Sequence, residues 1–417
     1  IDRNIQKFII GRDARLSSPE IFDWLSSGIM STGCNVIDIG IVTSPMFYHS
    51  TYELNSSSGV VITGSHNPGN YNGFKIVFNN RSTSSEEILN LRQRILEENF
   101  REGKGASNKE DIKESYINRI LERVNLNKNL NISIDCGNGA AGVVAKDVYE
   151  RLGCNVIELY GELDGSFPNH HPDPSKLENM EDLIKSVKEN DSVVGLAFDG
   201  DADRLGVISP KGEMIFPDRQ MIMFSRQVIQ SSPNAKIVFD VKCSKLLSDE
   251  IEKLKGKPLI CKTGHTFIKQ KIRETNALLG GEMSGHIFFN DRWPGFDDGI
   301  YAGARMLEII ANSEQEDSFL TVPNMLSTPE INIPAADEEK FQIVKKFIEN
   351  SNFSDAKIVS IDGIRVEFEK GWGLLRPSNT SPCLVLRFEA ETNDDLKKIK
   401  EIFYLGLKSI KPNINKF

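Results

Sequence analysis

The 417-residue sequence lacks a basic excess, a paired-cysteine pattern and any apolar run of membrane-spanning length. Each absence excludes a class. With 50 Lys and Arg against 59 Asp and Glu, the formal net charge is −9, which argues against a general affinity for nucleic acid. A buried pocket sets its own local sign, so phosphate binding stays open. The six cysteines (Cys34, Cys136, Cys154, Cys243, Cys261, Cys383) are scattered with no Cys-x-x-Cys pair. That excludes a disulfide frame or a zinc site and points to reduced, cytoplasmic thiols. No signal-peptide pattern opens the chain, so no membrane partner is expected. The protein is expected to act as a monomer. The first residue is Ile1 rather than methionine, and the natural chain is expected to begin further upstream.

What is present is ordinary for a globular protein, with 39% hydrophobic and 26% charged residues. The chain is too long for one core, and its length suggests about three domains. Its organising stretch is Val60-Val61-Ile62-Thr63-Gly64-Ser65-His66-Asn67-Pro68. A β-branched run reads as a buried strand that stops at Gly64, leaving Ser65 at the lip of a sheet. Asn72-Gly73 then turns the chain, and Phe74–Phe78 returns as a strand carrying Lys75. A serine and a lysine at the mouth of a sheet suit phosphate chemistry. An ordinary hairpin with a polar tip is the plain alternative.

A domain-scale repeat surrounds this stretch. Phe8-Ile9-Ile10 leads to a helical pattern from Ser18 and then Gly33-Cys34-Asn35-Val36-Ile37. Ile132-Ser133-Ile134 leads through a second helical pattern to Gly153-Cys154-Asn155-Val156-Ile157. Ile237-Val238-Phe239-Asp240, a helix from Ser244, Gly256 and the strand Pro258-Leu259-Ile260 make a third copy. Each reads as strand, polar turn, helix, glycine, strand, the βαβ signature of a parallel-type sheet. Each copy then reaches another apolar strand ending in a polar loop: Gly64-Ser65-His66 after Val60–Ile62, Asp199–Arg204 after Val193–Phe198, and Gly280–His286 after Ala277-Leu278-Leu279. Loops beyond strand ends are where α/β sheets place ligands.

After about Asn312 the pattern breaks. A helix over Asp337–Asn350, a strand over Ile364–Phe368, a glycine turn, the loop Arg376-Pro377-Ser378-Asn379-Thr380, a strand over Leu384–Phe388 and a last helix predict a smaller α+β domain. Glu102-Gly103-Lys104-Gly105 reads as a linker. The predicted domains are 1–110, carrying the serine loop, 111–212, carrying the acidic loop, 213–320, and 321–417.

Asp199, Asp201 and Asp203 alternate directly after an apolar strand. Carboxylates this close repel unless a cation neutralises them, and hard oxygen ligands suit magnesium. A calcium EF-hand loop fails, because Arg204 stands where its glycine belongs and Pro210 where its glutamate belongs. A solvated acidic turn is the alternative, although the preceding strand would bury the base of such a turn. One loop offers too few ligands for a closed site, so the metal is expected to share a phosphate oxygen, with Arg204 placed to grip that phosphate. Arg376, Ser378, Asn379 and Thr380 combine a guanidinium, hydroxyls and an amide without a nearby carboxylate in the loop, which suits a phosphate cradle. A self-capped turn would use the same residues. Glu282, Ser284 and His286 offer an acceptor, a hydroxyl and an imidazole in alternation, a set suited to vicinal sugar hydroxyls.

These motifs, in this order, resemble the α-D-phosphohexomutase superfamily, and most closely its bacterial phosphomannomutase/phosphoglucomutase type. The four are Thr63–Pro68, Asp199–Arg204, Gly281–His286 and Arg376–Thr380. The resemblance implies three related α/β domains with mixed sheets plus a smaller α+β C-terminal domain around one central cleft. It implies that Ser65 is a phosphoserine whose phosphate shares Mg2+ with Asp199, Asp201 and Asp203. Lys75, Arg204, Lys242 and His265 would then surround the reacting groups, with Lys242 or His265 as acid/base. Glu282 and Ser284 would bind sugar hydroxyls with His286 nearby, and Arg376, Ser378, Asn379 and Thr380 would hold the phosphate that does not react.

The implied activity is a phosphohexomutase, an isomerase moving phosphate between O1 and O6 of mannose or glucose through a hexose 1,6-bisphosphate. An amino-sugar mutase is the alternative within the class, against which Met283 between Glu282 and Ser284 leans. A sugar-phosphate binder without turnover is the alternative outside it. A simple phosphatase would need neither a serine loop nor a second phosphate cradle. Family members carry an opening strand and a loop with Tyr and Arg ahead of the Phe8–Ile10 equivalent, for which this chain has no residues. A first domain short of one strand, with weakened turnover, is the expectation.

Overall fold

The computed structural model describes residues 5–314, 318–351, 353, 356–379 and 381–417. Thr380 lies outside the described residues. The chain packs as two units, Ile1–Gln227 with Ser284–Leu320, and Val228–Met283 with Thr321–Phe417.

In the first unit, β-branched strands lie side by side because both their faces are covered. Lys7–Arg12 pairs in parallel with Asn35–Ile41 on one side and with Gly59–Ile62 on the other. Phe74–Phe78 runs antiparallel to Gly59–Ile62, with Lys75 opposite Val61. Ile21, Phe22, Leu25 and Ile29 of the helix Ser18–Met30 pack on Ile10, Val36, Val60 and Ile62, each fully buried aliphatic contributing about 1.5–3 kcal/mol. The second sheet repeats this plan. Asn131–Asp135 is flanked in parallel by Asn155–Leu159 and Val194–Phe198, and Leu205–Ile208 returns antiparallel. Ser65 and Asp199 therefore stand just past equivalent strand ends.

The sequence Glu102-Gly103-Lys104-Gly105 is no loose linker. Gly103 and Gly105 donate to the carbonyls of Ser31 and Met30, both at 2.8 Å. The chain then enters the edge strand Ser107–Lys109 beside Asn35–Ile41. With no apolar residues to mark it, this docking is invisible in composition.

In the second unit, Lys236–Asp240 is flanked in parallel by Lys257–Cys261 and Leu279–Gly281. The third strand begins two residues later than Ala277-Leu278-Leu279 predicts. It takes in Gly280 because the helix His265–Thr275 lies too close for a side chain: a Cβ at Gly280 would sit 2.7 Å from Ile272. Glu282 consequently follows the strand end at once.

The C-terminal sheet of this unit is antiparallel, in the order Leu326–Ser327, Cys383–Ala390, Gly371–Pro377, Ile364–Phe368, Lys357–Val359. Helices Asp337–Asn350 and Asn393–Ile410 cover one face through Ile343, Phe347, Ile399, Phe403 and Leu407. The predicted glycine turn before Arg376 is instead a strand, Gly371–Pro377, buried throughout. Its glycines break the alternation a strand is recognised by, so Arg376 sits on a strand opposite Val385 rather than in a loop. Among the described residues no helix is long and apolar enough to cross a membrane.

Candidate active site

The first unit brings the serine loop onto the acidic loop. Ser65 has φ of 49°, in the left-handed region that non-glycine residues seldom adopt. The strain is held by Arg15, which is 1% exposed. Its guanidinium donates to the carbonyls of Ser65 (2.6 Å), Asn67 (2.7 Å), Pro68 (2.5 Å) and Tyr71 (3.0 Å). Asp13 accepts from Arg15 Nε at 3.0 Å and from the Gly64 backbone N–H at 3.2 Å. Only glycine fits at 64, since a Cβ there would lie 2.5 Å from the Arg15 guanidinium carbon. Gly200 is likewise pressed on the serine loop, its Cβ position falling 2.4 Å from the Ser65 carbonyl oxygen.

Ser65 Oγ donates to Asp199 Oδ2 at 2.8 Å and lies 3.3 Å from His66 Nδ1. Asp199, Asp201 and Asp203 are all fully buried. Lys75 Nζ bridges two of them, donating to Asp201 Oδ2 at 2.5 Å and to Asp203 Oδ2. Ser44 Oγ also donates to Asp201 Oδ2. Burial, then Asp203 and Asp201, raise the pKa of Asp199 well above the usual carboxylate range. Burial pushes Asp201 the same way, but Lys75 and the Ser44 hydroxyl outweigh it and its pKa is lowered. Burial also works against the Lys75 ammonium, yet Asp201 and Asp203 raise its pKa well above the ordinary value. Burial and the neighbouring Arg204 lower His66 to about 3, so its ring is neutral.

Arg204 Nε donates to His286 Nε2 at 3.1 Å and stands 3.8 Å from Asp199 Oδ2. His286 Nδ1 faces Asp203 Oδ1 at 3.3 Å and Asp297 Oδ2 at 3.2 Å. Ser284 is half-buried in the turn ahead of His286. The residues present fit a hard divalent cation. Oxygens of Asp199, Asp201 and Asp203 lie within 4.8 Å of one another, and Asp201 Oδ1 is buried with no hydrogen-bond donor on it among the described residues.

The second unit gathers the remaining predicted residues around the ends of its parallel strands. Lys242 Nζ pairs with Glu330 at 2.7 Å and with Asp240 at 4.0 Å. Burial would lower its pKa, but Asp240 and Glu330 raise it. Glu282 Oε1 accepts from the backbone N–H of Gly264 at 2.6 Å, next to His265 at the first position of its helix. The residues that follow Arg376 hold no carboxylate, yet its guanidinium has one as partner. Its Nε donates to Asp362 Oδ2 at 2.9 Å, because Asp362 arrives from a turn that sequence spacing does not relate to it. Asp362 also accepts from the Thr263 backbone N–H at 3.1 Å. Ser378 Oγ accepts from the Ser381 N–H at 3.1 Å, capping its own turn, while Asn379 reaches the Thr263 carbonyl at 3.4 Å.

Four family models match the chain in order. They are the phosphoglucomutase/phosphomannomutase alpha/beta/alpha domains I (residues 2–102), II (114–212) and III (216–322) and the C-terminal domain (330–405). The chain belongs to the phosphoglucomutase/phosphomannomutase family. It is 48% identical over 408 residues to a phosphomannomutase/phosphoglucomutase of Pseudomonas syringae pv. tomato, covering 97% of this chain and 88% of that one. It is 44% identical over 413 residues to a phosphoglucomutase of Neisseria gonorrhoeae, covering 98% and 90%. A crystal structure of a phosphoglucomutase/phosphomannomutase family protein from Burkholderia thailandensis superposes with a TM-score of 0.95 at 41% identity, over 100% of this chain and 92% of that one.

For this member of the family, sequence reasoning missed Arg15, Asp13, Ser44, Asp297, Glu330 and Asp362. Arg15 and Asp13 follow the first strand of the first repeat, as Lys242 follows Asp240 in the third. That equivalence was the one signal able to single them out. The others arrive from segments with no motif.

Proposed function

We propose that this chain is a phosphohexomutase that interconverts hexose 1-phosphates and hexose 6-phosphates, of mannose, glucose or both, with Ser65 as the phosphoryl carrier. The observation that carries this reading is Ser65 itself. It is held in a left-handed conformation with its hydroxyl 2.8 Å from one member of a buried carboxylate triad. A structural serine needs neither the strain nor the triad.

In the proposed cycle phospho-Ser65 passes its phosphoryl group to O6 of a hexose 1-phosphate, whose hydroxyl proton goes to a base. Ser65 Oγ takes up a proton as it leaves. The hexose 1,6-bisphosphate then turns over and returns the phosphoryl group from O1 to Ser65 Oγ, whose hydroxyl proton is lost while O1 is protonated, and hexose 6-phosphate leaves. Asp199, Asp201 and Asp203 would hold Mg2+ with an oxygen of the Ser65 phosphate. That ion, when bound, supplies positive charge to the phosphoryl oxygens. Lys75 and Arg204 add fixed cations, and positioning accounts for most of the remaining acceleration. Lys242 is held as an ammonium by Asp240 and Glu330, which suits donation or charge stabilisation and leaves His265 as the base. Glu282 and Ser284 fit the sugar hydroxyls, with His286 supporting Arg204. Arg376, Ser378, Asn379 and Thr380 fit the distal phosphate. Six free cysteines suit a reducing, cytoplasmic setting.

Intact mass of the purified protein, with Ser65→Ala beside it, tests the carrier. A covalent phosphate on the wild type that is absent from Ser65→Ala, with turnover reduced by several orders of magnitude, is the expected result. Near-normal turnover of Ser65→Ala in a coupled assay on mannose 1-phosphate and glucose 1-phosphate, with a trace of bisphosphate, would sink it. Preference for an amino-sugar phosphate in the same assay would replace the substrate but not the carrier.

A further inference from the structure

Lys242 is carried by the segment Val241-Lys242-Cys243, and three consecutive carbonyls there meet two guanidinium groups from the C-terminal sheet. Arg365 Nη1 donates to Val241 O at 2.8 Å and to Cys243 O at 2.5 Å. Arg387 Nη1 donates to Lys242 O between them. Strand register explains how two arginines arrive together. Arg365, Leu374 and Arg387 stand opposite one another on three adjacent strands, and Glu367, Trp372 and Glu389 form the neighbouring row on the same face. The Arg365 guanidinium lies 3.9 Å from the centre of the Trp372 ring, and its Nε donates to Glu367 Oε1 at 2.9 Å. Glu389 accepts from Trp372 Nε1 at 2.6 Å and from Ser244 Oγ at 2.7 Å, fixing the residue next to the segment. Arg365 is 1% exposed and Trp372 fully buried.

A buried ion pair gives the fold no more than a well-packed apolar pair would, although removing one partner alone leaves the other charge buried. What the guanidinium supplies is direction: a planar fork, stacked on an indole, that meets backbone oxygens in one arrangement only. We infer that Arg365 is a positioning residue for Lys242, acting through the carbonyls of Val241 and Cys243 and aimed by the Trp372 ring and Glu367. The inference rests on the assignment of Lys242 to the reacting groups in the proposed function. Arg365 thereby sets where the Lys242 ammonium stands against Glu330.

Arg365→Met removes both carbonyl contacts at similar volume. The expected result is a kcat lower by about tenfold or more with KM for hexose 1-phosphate little changed, and partial recovery of kcat in Arg365→Lys. Both are read at a temperature where the variant stays folded, since Glu367 loses its buried partner and Tm falls. The double variant Lys242→Met/Arg365→Met is expected to be no slower than Lys242→Met alone, since one acts through the other. Losses that simply multiply, or an unchanged kcat in the folded Arg365→Met protein, would overturn the inference. In protein carrying 15N-lysine, the Nζ resonance of Lys242, assigned by its disappearance in Lys242→Met, should shift or broaden in Arg365→Met. An unmoved resonance overturns the positioning role. If Lys242→Met turns over normally, the assignment of Lys242 fails, and the resonance still decides the positioning. Should Arg365→Met not fold, Glu367→Gln, which frees Nε alone, carries the same resonance test.

Discussion

Arg15 donates from Nη2 to the backbone carbonyl of Ser65 at 2.6 Å, joining residues 50 apart in sequence. The same guanidinium reaches the carbonyls of Asn67, Pro68 and Tyr71, so one side chain shapes the whole serine loop. Such a cage makes the left-handed backbone at Ser65 affordable without a phosphate present.

Replacing the cage should therefore damage stability and chemistry together. Arg15→Met leaves Asp13 buried without its cation, at a cost of about 3–5 kcal/mol. Urea unfolding and steady-state turnover should fall in step, with Arg15→Lys recovering part of both. An unchanged unfolding midpoint would show that the loop holds its shape by other means.

Lys75 now neutralises part of the aspartate triad from 2.5 Å. In Lys75→Met three buried carboxylates lose that cation, so the variant should be less stable without metal. Ligand-linked stabilisation by Mg2+ should then be larger than in the wild type. Asp201→Asn should show the opposite, a smaller rise in Tm on adding Mg2+, because one anionic ligand is gone. Thermal unfolding with and without Mg2+ measures both. Identical Mg2+ shifts in all three proteins would move the metal elsewhere.

Arg376 is committed to Asp362 through Nε, while its Nη2 is buried with no acceptor among the described residues. An anion would satisfy it. Arg376→Ala should weaken binding of the distal phosphate by about 1.5–3 kcal/mol, raising KM roughly ten- to hundredfold. Unaltered KM and kcat for both sugar phosphates would remove Arg376 from that role.

His49 gives a pH prediction independent of the site. Burial, with Arg119 adding to it, lowers its pKa from 6.5 to about 4. It stacks near Trp293 and meets Ser115 Oγ at 3.0 Å. The folded pKa lies below the unfolded one, so the ring folds neutral. Stability is whole above about pH 6.5 and falls as pH drops towards 4, by about 3 kcal/mol at most. His49→Phe should flatten this part of the pH–stability curve, measured by urea unfolding at several pH values. A curve of unchanged slope would place the acid sensitivity in other groups.

The elements that carry chemistry were legible because strand, helix and glycine punctuation are local. Val60–Ile62 into Ser65 and Val194–Phe198 into Asp199 follow from β-branched runs that end in turn residues. Local rules failed where glycine took a strand position. Gly280 and the glycines of Gly371–Pro377 were read as punctuation, yet a helix or sheet packed closely against them makes them part of strands.

By itself the sequence determined the repeat, the serine at a strand end, the alternating carboxylates and the motifs of the family, since each is written in consecutive residues. Only the tertiary structure decided which distant groups satisfy them. Arg15 closes over the Ser65 loop, Lys75 enters the aspartate triad, Asp362 meets Arg376, and Arg365 reaches past Trp372 to the Lys242 segment. The reason is physical. A buried charge or carbonyl must be paired wherever the chain happens to bring a partner, and that pairing depends on how sheets and helices pack rather than on spacing along the sequence.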